Sequence, residues 1–227
     1  MKVNCRNGLI ISFVLLLLSC ASTQSHNSNV DQVGENSNNS DMEERAKMLI
    51  ATSLQDEMQG NTDLAFQKRQ EALELSRKIK HTGLEIMALV GIATTYMTQG
   101  NYNEALKLYQ AAEKLIIERM GEETPTIVFI LSSIGSVYEE LGDFPNAIEY
   151  HKRAIEISNS TQGIENEETL SALENLGRAW FRYGKYEESL ATCEEAKSWY
   201  EKLNRTQDPA YRRLVGCIDE SNANLTK

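Results

Sequence analysis

Apolar positions recur along this chain with the spacing of helix faces. Leu89, Ile92, Ala93 and Tyr96 fall at i, i+3, i+4 and i+7, which places them on one side of a helix. Leu131, Ile134, Gly135 and Tyr138 repeat the spacing, as do Leu173, Leu176, Gly177 and Trp180. Each stretch runs into a glycine, and beyond it lies a second helical pattern of small, large and small residues. These triples are Ala105, Tyr109, Ala112; then Ala147, His151, Ala154; then Ser189, Cys193, Ala196. Small residues let two helices approach closely, and the large one fills the gap that the approach leaves. The pattern therefore predicts antiparallel helix pairs, with no strand periodicity.

The pairs are copies of one another. Gly100-Asn101-Tyr102-Asn103-Glu104-Ala105 aligns with Gly142-Asp143-Phe144-Pro145-Asn146-Ala147 and with Gly184-Lys185-Tyr186-Glu187-Glu188-Ser189. The glycines stand 42 residues apart, twice, and a weaker copy begins 40 residues earlier at Gly60 with Ala65. A fixed period of this length is the mark of a repeat array. All three prolines suit helix starts: Thr124-Pro125 and Asp208-Pro209 read as N-cap and first helical residue, and Pro145 falls in a first turn. Tyr211, Leu214, Val215 and Ile218 form a last apolar stripe, read as a closing helix.

These residues resemble the tetratricopeptide repeat, and the long period with the loop Gly121-Glu122-Glu123-Thr124-Pro125 is similar to the kinesin-light-chain type. The resemblance implies an all-α, right-handed superhelical solenoid of about four repeats plus a closing helix. The expected segments are a degenerate first repeat at 42–82, then repeats at 83–121, 122–163 and 164–205, then the closing helix at 206–227. The first repeat departs from the pattern. Asp56 stands where an aromatic is expected, and Thr62 replaces the turn aromatic.

The N-terminus has a different character. Lys2 and Arg6 precede an apolar run from Leu9 to Leu18, about half of the ~20 residues a membrane-spanning helix needs. Leu17-Leu18-Ser19-Cys20 resembles the lipobox of bacterial lipoproteins. That resemblance implies cleavage after residue 19 and acylation of Cys20, the one residue type that brings a thiol to the new N-terminus. Cleavage after Ala21 by an ordinary signal peptidase is the other reading. From residue 20 to 41 the chain is rich in Ser and Asn without aromatics, and reads as a flexible tether with a reach of roughly 25 Å.

Composition narrows the function classes. The net charge is −10, and loss of residues 1–19 would leave 33 acidic against 21 basic residues, a net −12. That disfavours nucleic acid. Cys193 and Cys217 stand outside the leader and the lipidation site, without CxxC or Cys/His spacing for zinc. A disulfide between them is one reading. Two separately buried thiols are the reading favoured by the sequence. No metal, cofactor or nucleophile–base pair is indicated. His151 reads as a packed core residue, and Glu139-Glu140, Glu167-Glu168 and Glu187-Glu188 as solvated or first-turn acids.

What the resemblance leaves for function is the concave groove lined by first helices. Carried onto this sequence, its exposed residues are Met87, Val90, Thr94 and Met97; Phe129, Ser132, Ser136 and Glu139; Ser171, Glu174, Arg178 and Phe181. Several are too apolar for a purely solvated face. The expected function is a non-enzymatic protein-interaction scaffold that binds another protein or a peptide segment. It would be tethered to a membrane of a bacterial envelope through acylated Cys20, at the outer membrane or otherwise membrane-bound. A peptide-sensing adapter is the second reading, and a cryptic enzyme is disfavoured.

Overall fold

The computed structural model of the protein describes residues 33–226. Its elements are α1 (Val33–Met58), α2 (Thr62–Lys78), α3 (Thr82–Thr98), α4 (Tyr102–Met120), α5 (Pro125–Leu141), α6 (Phe144–Gln162), α7 (Glu167–Arg182), α8 (Tyr186–Lys202) and α9 (Pro209–Leu225). Among the described residues there is no strand, so the fold is all-α as the periodicity predicts. None of these helices is long and apolar enough to cross a membrane. The leader and Cys20 lie outside the described residues. The chain divides into two compact units between Arg119 and Met120.

In the first unit α1 packs on α2, α2 on α3, and α1 also reaches α3. Helix α1 begins at Val33, inside the stretch expected to be tether. Residues 33–41 carry no apolar stripe. They extend a helix whose later turns are anchored by buried Ala46 and Ile50, and extending a formed helix gains one hydrogen bond per residue fixed. Helix α3 is buried nearly all round, with twelve buried residues out of seventeen. After Glu85 it carries no charge, and a helix apolar on every side is a buried one.

In the second unit α5 packs on α6, α6 on α7, α7 on α8 and α8 on α9, with α5–α7 and α7–α9 contacts between alternate helices. The turn after α5 shows why glycine recurs. Gly142 sits at φ 78°, where its N–H bonds Glu139 O, and the Asp143 N–H bonds Tyr138 O, closing the helix end. Gly60, Gly100 and Gly184 share that positive φ at the corresponding turns. Asp208 caps α9 by accepting from the Ala210 N–H ahead of Pro209 at the first helical position. Helices α5, α7 and α9 begin at residues 125, 167 and 209, so α9 starts in register as the first helix of a further repeat. It carries Asp219 where α5 and α7 carry Gly135 and Gly177, and Asp219 is exposed. Leu170, Leu173, Tyr200 and Leu214 form the apolar cluster that α9 closes.

Candidate binding surface

The second helices each place one larger residue between two small ones, and the structure gives that position a linking role. In α2 it is Arg69, buried between Ala65 and Ala72. Its guanidinium reaches both first helices beside it. Nε donates to Ser53 Oγ of α1 at 3.2 Å, while Nη1 donates to Gly91 O at 3.1 Å and Thr95 Oγ1 at 2.7 Å on α3. Nη2 meets the Glu57 carboxylate. The close approach depends on Gly91, where a β-carbon would stand 2.8 Å from Arg69 Cδ. In α4 the position is Tyr109, whose hydroxyl pairs with Thr94 Oγ1 at 2.9 Å. The triple Ala65–Arg69–Ala72 was legible in the sequence as the first-repeat copy of the small–large–small pattern, yet Arg69 was not among the expected site residues.

In the second unit the position in α6 is His151, fully buried as the sequence reading required. Its ring sits over Gly135, and its Nε2 lies 3.1 Å from Glu139 Oε1. A carboxylate only accepts, so Nε2–H donates and the buried Nδ1 carries a lone pair with no partner among the described residues. Glu139 also receives two arginines from α7. Arg178 donates through Nε to Oε2 at 3.1 Å and through Nη2 to Oε1 at 2.9 Å, and Arg182 Nη1 donates to Oε2 at 3.3 Å. All four acceptor sites of the carboxylate are thereby used. Burial alone would raise the Glu139 pKa. The His151 hydrogen bond and the Arg178 charge outweigh it and hold the carboxyl down to about 2. Burial also keeps His151 below its ordinary 6.5, against the pull of Glu139. At neutral pH the node is a carboxylate, a neutral imidazole and two guanidiniums.

The expected groove residues divide by unit. Met87, Val90, Thr94 and Met97 are buried, which corrects their reading as exposed positions. They belong to α3, the helix without a polar face, and Thr94 spends its hydroxyl on Val90 O and Tyr109. Glu139 is 1% exposed, correcting its reading both as a solvated acid and as an open groove residue. Its neighbour Glu140 does lie at the surface and receives Arg182 at 3.1 Å. Ser132, Ser136, Phe129, Ser171, Glu174 and Phe181 are half-buried, and Arg178 is exposed. Phe181 packs edge-on against Tyr186, with ring centroids 5.5 Å apart. Glu174 is paired with Arg213 of α9. Beside this surface Arg182 lies over the Phe144 ring, which stacks on exposed Tyr183 with Leu141 also exposed. Arg182 and this aromatic pair were missed because the repeat register places them at a turn.

The larger position in α8 is Cys193, and the structure joins it to Cys217 of α9 in a disulfide, the reading the sequence analysis ranked second. Residues 193 and 217 both face the α8–α9 seam, a juxtaposition that spacing along the chain did not reveal. Among the described residues no group of three or more His, Cys, Asp or Glu side chains is placed to hold a metal.

Comparison with known proteins agrees with this architecture. The profile of the MalT-like TPR region matches residues 35–215. The fold is similar to kinesin light chain TPR-like repeats from Podosopora anserina, at TM-score 0.69 and 16% identity over 80% of this chain and 87% of that one. It is also similar to BtubC (BKLC) from P. vanneervenii, at TM-score 0.67 and 14% identity over 100% of this chain and 92% of that one. No curated protein sequence matches the chain.

Proposed function

Because this chain belongs to the tetratricopeptide family through its MalT-like TPR region, we propose that it is a protein-interaction scaffold held at a bacterial membrane by an acylated Cys20, facing the cell envelope from the outer membrane. The observation that carries the binding role is the surface of α5 and α7. There Ser132, Ser136, Ser171, Phe129 and Phe181 are half-buried and Arg178 is exposed. Small hydroxyl side chains let another backbone approach, and aromatic and arginine residues are the types that anchor interfaces. Arg178 is held in place by a buried carboxylate, so it loses little freedom when a partner binds. The membrane tether rests on the Leu17-Leu18-Ser19-Cys20 motif.

Two measurements test the reading. Crosslinking and mass spectrometry of envelopes should return a polypeptide crosslinked near α5 and α7, and Ser136→Trp should abolish that crosslink while leaving the helical circular dichroism intact. Crosslinks confined to the second helices α6 and α8 would overturn the assignment of the surface. Cys20→Ser should remove acyl labelling and release the protein from membranes; a variant that stays bound after leader cleavage would exclude the lipid anchor.

A further inference from the structure

Helix α9 docks on the array through an apolar seam, an ion pair from Arg213 to Glu174 and one covalent bond. Its buried apolar side chains are Ala210 and Leu214, with half-buried Tyr211, Cys217 and Ile218 packed beside them, and its third buried residue is Ser221. Ser221 donates to Ser189 Oγ at 3.1 Å, and Ser189 Oγ donates to Gly177 O at 2.9 Å. Elsewhere the larger residue of a second helix meets its first-helix neighbours without a covalent bond, as Arg69 does at Gly91 and Thr95. Cys217 stands three 42-residue periods after Gly91, and there the repeated contact becomes a sulfur–sulfur bond. The two sulfurs differ in access. Cys193 is 1% exposed, and its Sγ lies where a β-carbon on Gly177 would come within 2.4 Å. Cys217 is half-buried, with Ser189 Oγ 3.3 Å from its sulfur.

We propose that Cys193–Cys217 is a reversible latch on the closing helix, opened by a dithiol reductant. A thiolate of the dithiol attacks Cys217 Sγ, the more accessible sulfur. The S–S bond breaks, and Cys193 leaves as a thiolate that takes up a proton. The second thiol of the reductant closes on the mixed disulfide and frees Cys217. The dithiol loses two electrons to become a disulfide, and the protein bond gains them. Closed, α9 covers Leu170, Leu173 and Tyr200. Open, it keeps the packing of Ala210, Tyr211, Leu214 and Ile218, the Arg213–Glu174 ion pair and the serine pair but loses its covalent tie, so it separates more readily and exposes Leu170, Leu173 and Tyr200.

The test is hydrogen exchange of the full chain, read by mass spectrometry before and after dithiothreitol, with differential alkylation reporting each cysteine. Reduction is expected to raise exchange across 209–225 at least tenfold while 125–162 stay unchanged, and removal of dithiothreitol with oxidised glutathione present should restore protection. Cys217→Ala should show the open pattern without reductant. Three results would each overturn the latch: both thiols found free in the unreduced chain, α9 exchange insensitive to reduction, or 125–162 losing protection together with α9. The last would make the bond a staple of the whole unit.

Discussion

A β-carbon built on Gly135 would stand 2.6 Å from Cε1 of His151. The imidazole therefore occupies the space that the missing side chain leaves at the α5–α6 crossing. Gly135→Ala is expected to lower unfolding free energy by on the order of 1–3 kcal/mol, the cost of overpacking a crossing. In a His151→Ala background the same substitution should cost much less, because its obstacle is gone. Urea denaturation of the four proteins in the cycle measures this. Additive losses would mean that the ring is not seated on Gly135.

The Glu139 node makes stability depend on pH with a defined sign. Glu139 titrates at about 2 in the folded chain against an ordinary 4.5, so the unfolded chain binds the extra proton in that interval. Its contribution is fully present above 4.5 and is lost as pH falls toward 2, amounting to about 3 kcal/mol. His151 acts in the same direction at higher pH. Its folded value lies below 6.5, so below 6.5 the unfolded chain takes up a proton that the buried ring refuses. Urea midpoints should fall on acidification below pH 6.5 and again below 4.5. Glu139→Gln should be less stable at neutral pH and should show a smaller lower step, since Asp208 and Glu201 are also held below their ordinary values. An unaltered lower step in that variant would assign it to other carboxylates.

Helix pairing was legible in the sequence because it rests on local periodicity, and Gly142, Pro125 and Asp208 stand where the spacing put them. The candidate surface was less legible. Periodicity says which side of a helix faces its own partner, but it does not say what a third helix covers, so Met87, Val90 and Met97 read as open and are buried. The run from Ile86 to Met97, which carries no charge, was the available warning. Glu139 was misread for a related reason. A lone acid beside Glu140 looks solvated until Arg178 and Arg182, 39 and 43 residues away, are seen to converge on it. Spacing also could not decide between the disulfide and two thiols, because it depends on how α9 docks.

Arg69 is the corresponding long-range node of the first unit. Removing it leaves the Glu57 carboxylate without that ion pair, and leaves Ser53, Thr95 and Gly91 O short of a donor in a buried site. Arg69→Ala is expected to cost about 3–5 kcal/mol, the range for breaking a buried pair from one side. Arg69→Lys should rescue little, since one ammonium cannot reproduce a planar fork that reaches both α1 and α3. Thermal unfolding monitored by circular dichroism checks both. A lysine variant as stable as the parent would show that charge alone suffices there.

Asp56 and Lys68 are twelve residues apart, as are Tyr138 and Tyr150, and they occupy the same two places in the repeat. In the third repeat those places hold a stacked aromatic pair, with centroids 5.5 Å apart. In the first repeat they hold an ion pair at 2.5 Å, and Asp56 is 9% exposed. A buried ion pair is often no more stabilising than apolar residues filling the same space, because its desolvation offsets its attraction. The double variant Asp56→Tyr, Lys68→Tyr should therefore be at least as stable as the parent, with a gain of up to about 1–4 kcal/mol. Asp56→Tyr alone should be less stable than the double variant, since it leaves Lys68 without its partner beside an aromatic face. The comparison is made by urea denaturation at two salt concentrations, because the parent's ion pair weakens with salt and the aromatic pair does not. If the double variant is the least stable of the three, the ion pair is required by the packing of α1 on α2, and the first repeat is specialised rather than a degraded copy.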